Sequence, residues 1–141
     1  MSEKPVHIHE IVIRATPGQV WEALTDPEQT RRYYYGTRIE SEFQPGSRYA
    51  YIQPNGEAML DGEILEIDPP HRLVMTFRPL WRDDEITRQV SRVTFTLVDE
   101  GAQTRLTMVH DQLDPASGVG GGWVKILAGL QRLFDGAPVP A

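Results

Sequence analysis

The sequence predicts an α+β domain in which a curved antiparallel sheet of about seven strands grips a long C-terminal helix. Three observations lead there. Residues 37–111 read as alternating apolar and polar segments cut by turn signals. One strand and two short capped helices precede that stretch. A single apolar stripe at helical spacing follows it.

Taken in order, VHIHEIVIR alternates as a strand with His7, His9, Ile11 and Ile13 on one face. Thr16 as N-cap, Pro17 at the first helical position and Gln19 three residues after the cap form a capping box. Asp26, Pro27 and Gln29 repeat the device, giving two helices in tandem, with Val20, Trp21 and Leu24 on the packed side of the first. Pro45-Gly46 suits the centre of a type II turn and Asn55-Gly56 a type I′ hairpin. Asp68-Pro69-Pro70 and Asp99-Glu100-Gly101 break the chain again. Between the breaks one face is apolar: Leu73, Met75 and Phe77, then Val93, Phe95 and Leu97, then Leu106, Met108 and His110. Arg78, Arg92, Thr94, Thr96, Arg105 and Thr107 take the other face. The terminal helix is expected from Pro115, behind Asp114 as cap, with Val119, Trp123, Leu127 and Leu130 inward and Gly136 as its stop. About twenty residues of helix would run about 30 Å. The chain of 141 residues is then one domain, 1–141, with a core over about 6–134 and 136–141 as tail.

Composition removes several functions. With no cysteine there are no disulfides and no thiolate–metal sites, and a reducing, cytoplasmic location is expected. A formal charge of −6 argues against nucleic acid, whose recognition rests on basic patches. The first ten residues lack the apolar run of a signal peptide, and no apolar stretch is long enough to span a bilayer. No membrane partner is expected.

The stretch SGVGGGWVKIL, 117–127, raises the question of a phosphate loop. It fails: the last glycine of G-x-G-x-x-G is missing, and Lys125 is not in a Gly-Lys-Ser/Thr context. Its preceding strand also belongs to an antiparallel meander. Glycines in a helix cost about 1 kcal/mol each against alanine. Either close packing of the helix on the sheet offsets this, or a loose first half opens a gap to the interior.

Other groups carry less. His7 and His9 have the spacing of a chelating pair but lack a third ligand in sequence, so no metal and no cofactor are expected. Asp61 and Glu63 flank Gly62 in a strand and face water on this reading. His110 continues a buried phase and is either a satisfied core histidine or a polar ligand contact. Tyr33, Tyr34 and Tyr35 form an aromatic cluster readable as lid or as packing. No G-x-S-x-G elbow or other catalytic motif is present.

The residues also resemble a family. Pro17-x-x-Val20-Trp21-x-x-Leu24-Thr25-Asp26-Pro27, Pro45-Gly46, GEILEIDPPHRLVMTF (62–77), TRLTMVH (104–110) and Gly122-Trp123 together are similar to the SRPBCC, or START-like, superfamily. The similarity is greatest to the branch named after the activator of heat-shock protein 90 ATPase homologue, which includes calicheamicin-resistance-type proteins. The resemblance spans about residues 6–134 and implies the helix-grip fold, with a cavity between sheet and terminal helix. Two departures border the expected mouth: tyrosines 33–35 stand where the family usually carries a tryptophan, and the stretch between His110 and Gly122 is short and glycine-rich. The resemblance carries no shared catalytic set. It also implies no chaperone-ATPase activation, because the eukaryotic activators have a further N-terminal domain that this chain has no room for.

The leading expectation is a non-enzymatic binder that encloses a small apolar, aromatic or lipid-like molecule. Its walls would be Tyr35, Tyr49, Met59, Phe77, Met108, His110, Trp123 and Leu127. Two other functions stay open: an enzyme on an aromatic or polyketide-like substrate with His110 or a tyrosine as acid–base, and a stress- or chaperone-related interaction module. A homodimer is equally open.

Overall fold

In the computed structural model of the chain, residues 7–80, 90–112 and 122–135 are described. The elements follow in the order β1 (His7–Ile13), α1 (Pro17–Thr25), α2 (Pro27–Tyr33), β2 (Arg38–Ser41), β3 (Arg48–Ile52), β4 (Ala58–Asp68), β5 (Arg72–Pro79), β6 (Ser91–Asp99), β7 (Thr104–Asp111) and α3 (Trp123–Asp135). Among the described residues the strands make one antiparallel sheet in the order β1-β7-β6-β5-β4-β3-β2. The curved sheet and its terminal helix form the expected helix-grip α+β fold.

Local chemistry places the elements. The Thr16 hydroxyl accepts from Gln19 N at 3.2 Å while the Gln19 side chain accepts from Thr16 N at 3.0 Å, which satisfies two donors at the start of α1. The second cap is only half of that device. Asp26 accepts from Glu28 N at 2.9 Å, but the Gln29 amide reaches the Glu22 carboxylate instead of the cap backbone. Pro45-Gly46 makes its turn as expected, with Ser47 N donating to Gln44 O at 2.9 Å and Gly46 at φ 87°.

Asn55-Gly56 does not form a type I′ hairpin. Gly56 N donates to Gln53 O, so the turn begins one residue earlier and has Pro54, not Asn55, at its second position. Only Gly56 has positive φ, 90°, giving a three-residue loop closed by a left-handed glycine. The fixed φ of proline favours this earlier turn.

The buried phases of β5, β6 and β7 are those the alternation predicts, every one of the nine residues being at most 5% exposed. The polar face is stitched by ion pairs. Arg78 grips Asp61 through two bonds at 2.9 and 2.8 Å, and Arg92 grips Asp111 at 3.0 and 2.6 Å.

The helix differs from its expectation. The described helix runs from Trp123 to Asp135, 13 residues, and Gly122 precedes it as a turn whose carbonyl accepts from Ile126 N at 3.1 Å. Asp114, Pro115, Val119, the other three glycines of the run and Gly136 lie outside the described residues. The inner stripe is as expected, with Trp123, Leu127 and Leu130 buried and Lys125 and Arg132 exposed.

Candidate functional site

The inner face of the sheet and the first turn of α3 bring most of the expected wall residues together. Tyr49 is buried on β3, Phe77 on β5, Met108 and His110 at the end of β7, and Trp123 and Leu127 on α3. Trp123 is the hub. Its ring centroid lies 6.0 Å from Phe95, 6.3 Å from Phe77, 5.8 Å from His110 and 6.1 Å from Tyr34, mostly edge-to-face. Met59 packs against the core from the side and is only partly buried. It lies in the opposite phase from Leu60, which takes the inner position.

His110 sits in a closed polar relay. Trp123 Nε1–H can only donate, and it reaches His110 Nδ1 at 2.8 Å. That leaves the ring proton on Nε2, which donates to Ser91 Oγ at 2.7 Å; Ser91 in turn donates to Phe77 O at 3.3 Å. Burial, helped by His7 and opposed by Asp111, pushes the His110 pKa down to about 4. The ring is neutral at pH 7 with both nitrogens engaged, so it packs and orients Trp123 and has no nitrogen left for proton transfer. Ser91 was missed by sequence reasoning, although its phase on β6 matches Val93 and Phe95. His7 and His9 stack at 6.5 Å, half-buried, and among the described residues no cluster of histidine and carboxylate side chains is built to hold a metal.

All five tyrosines of the chain gather at the β3 side of this interior. Tyr33 donates to Ala23 O at 2.7 Å and Tyr49 to Thr76 O at 2.6 Å. Tyr34 and Tyr51 stack at 4.0 Å and 20°, each 3% exposed. Burial raises the pKa of Tyr33, Tyr34, Tyr49 and Tyr51, with neighbouring phenols adding to the effect at the first three. These four stay protonated at neutral pH. Tyr34 and Tyr51 were absent from the expected walls; the signal was Tyr51 two residues from Tyr49 on one strand face.

Tyr35 is different. It is 50% exposed, held at φ 53°, and lies across the start of α3 with Lys125 Nζ 5.5 Å from its ring centroid. A Cβ on Gly122 would stand 2.6 Å from its hydroxyl, so the Tyr35 ring tip rests against this glycine. Gly129 is placed likewise against Tyr33. At Gly129, where the Tyr33 Cβ and backbone approach, close packing explains the glycine. Outside the barrel of rings, a groove of about 510 Å³ runs between α2, β2 and the β3–β4 loop, lined by Arg31, Arg38, Glu40 and Gln53. None of the expected wall residues lines it. No described helix is long and apolar enough to cross a membrane.

Comparison with known proteins agrees with this architecture. The protein MLL2253 of Mesorhizobium loti superposes with a TM-score of 0.79 at 26% identity, over 93% of this chain and 97% of that one. CalU16 of Micromonospora echinospora gives 0.74 at 24% identity, over 93% and 76%. The Aha1 dimer of Colwellia psychrerythraea gives 0.72 at 18% identity, over 92% and 96%, a likeness of fold. No curated protein matches the sequence. The family described as Activator of Hsp90 ATPase homolog 1-like protein matches over residues 14–135. With nearly the whole chain covered and the helix-grip sheet around Trp123 in place, the protein belongs to that family, within the SRPBCC superfamily.

Proposed function

We propose that the protein binds a small, largely apolar ring molecule between the sheet and α3, against Trp123 and the tyrosines of β3 and α2. One observation carries this reading. Two aromatic residues, Tyr34 and Tyr51, are 3% exposed, yet among the described residues neither hydroxyl has a hydrogen-bond partner. Among the described residues no fully enclosed side-chain oxygen lacks a partner, so these two hydroxyls open onto accessible space and are free to donate to a ligand there. Around them the walls are Tyr49, Phe77, Met108, Trp123 and Leu127, with Tyr35 at the rim and His110 holding the tryptophan ring. Such a mostly apolar lining with few directed polar groups is what small-molecule sites need.

The neutral, fully engaged His110 favours binding over acid–base catalysis. A cytoplasmic location goes with this reading, since the chain has no cysteine to protect. A second reading, docking on a chaperone, draws on the family's name, and the Colwellia relative being a dimer supports a homodimer. The test is native mass spectrometry of freshly purified protein together with titration of a hydrophobic fluorescent probe. A retained small molecule, or saturable probe binding lost in Trp123→Ala, is expected. An empty protein that binds no probe would leave the chaperone reading in its place.

A further inference from the structure

We propose that Tyr34 and Tyr51 form the polar anchor of this site and take a neutral oxygen acceptor, a ring carbonyl, in preference to a carboxylate. The proposal rests on the binding reading above and names the chemistry it selects. The two rings stack at 4.0 Å with 20° between their planes, so both phenols belong to one aromatic cluster. Of the phenols acting on Tyr34, that of Tyr51 acts most strongly.

Their neighbours are already satisfied. Tyr33 and Tyr49 donate to backbone carbonyls, and His110 is closed between Trp123 and Ser91. Among the described residues no fully enclosed side-chain nitrogen or oxygen lacks a partner. The Tyr34 and Tyr51 oxygens, which have none, therefore border accessible space. Burial keeps both phenols protonated at neutral pH, so each has a proton to donate. A carbonyl oxygen has two lone pairs and can accept from both.

A carboxylate would be poorly served. The rings around the pair are Tyr33, Tyr35, Tyr49 and Trp123, none of them cationic. Among the described residues the cations near this cluster are exposed: Lys125 lies above Tyr35, and Arg48, beside Tyr49, is paired with Asp61. An anion brought into such a site loses its water without gaining a counter-charge. The aromatic edges of Trp123 and Tyr49 suit a flat ring system next to the carbonyl.

Three probes of matched shape separate these terms: fluorenone, fluorene and fluorene-9-carboxylate, titrated into the full chain by calorimetry. The wild type should bind fluorenone about tenfold more tightly than fluorene, and the carboxylate no more tightly than fluorene. Tyr34→Phe and Tyr51→Phe should each shrink the ratio of fluorenone to fluorene affinity, and the double variant should bring that ratio to about one. Each variant removes an oxygen that has no protein partner, so its melting temperature should not fall. Equal binding of fluorenone and fluorene, or a preference that survives the double variant, overturns the anchor and leaves the binding site standing. A wild type that binds none of the three probes overturns both.

Discussion

At the scale of single residues, His110 and Trp123 make the most exposed claims. The unfolded chain takes up a proton on His110 near pH 6.5, whereas the folded ring, held at about 4, does not. Stability should therefore be full above about pH 6.5 and fall as pH drops toward 4, by about 3 kcal/mol in total. Urea denaturation across that range should show the slope, and His110→Gln should flatten it. Asp61 acts in a lower window. Desolvation raises its carboxyl, but the bonds and charges of Arg78 and Arg48 outweigh that and hold it below the usual range, so its contribution is lost only in stronger acid. Trp123→Ala removes a side chain that is 4% exposed and should cost about 3–5 kcal/mol if its contacts are solid packing, and less if it faces a gap. Trp123→Phe keeps a ring but orphans His110 Nδ1, so about 1–3 kcal/mol should still be lost in denaturant melts. Trp123 and His110 were legible in the sequence because each continues an apolar phase. Their bond to one another was not, since it joins two elements whose relative placement no local pattern encodes.

Elements repeat the lesson with a different cause. The capping box of α1 was legible because its partners lie three residues apart, and Thr16→Ala should cost about 1 kcal/mol in thermal or chemical melts. The hairpin at 53–57 was misread because Asn55-Gly56 is a strong local motif while Pro54 shifts the turn by one residue. Met59 is only half-buried because it shares the phase of Asp61 and Glu63, which alternation through Leu60, Gly62 and Ile64 already gives it. Gly62 shows what only three dimensions reveal. A Cβ there would collide with the Thr76 carbonyl and come within 2.7 Å of the Tyr49 ring, which passes over the glycine to donate to that same carbonyl. Because one of the obstacles is backbone, Gly62→Ala should lose about 2 kcal/mol or more, read as a lower denaturation midpoint with an unchanged slope.

For the whole molecule, the order of the strands matters more than any one of them. The first strand pairs with the last, from His7 opposite His110 to Ile13 opposite Thr104, and α3 reaches back through Gln131 to the Val12 carbonyl at 2.7 Å. During synthesis, β1 therefore leaves the ribosome long before β7, its partner strand among the described residues, exists. Front-to-back assembly, in which early segments fold while later ones are still being made, is closed to it. The middle strands can form hairpins as they emerge, but the grip closes only when β7 and the helix are free of the ribosome. Nascent chains stalled before β7 emerges should leave β1 open to a protease, and those released past residue 135 should protect it. For this protein, the decisive folding step belongs to the end of translation.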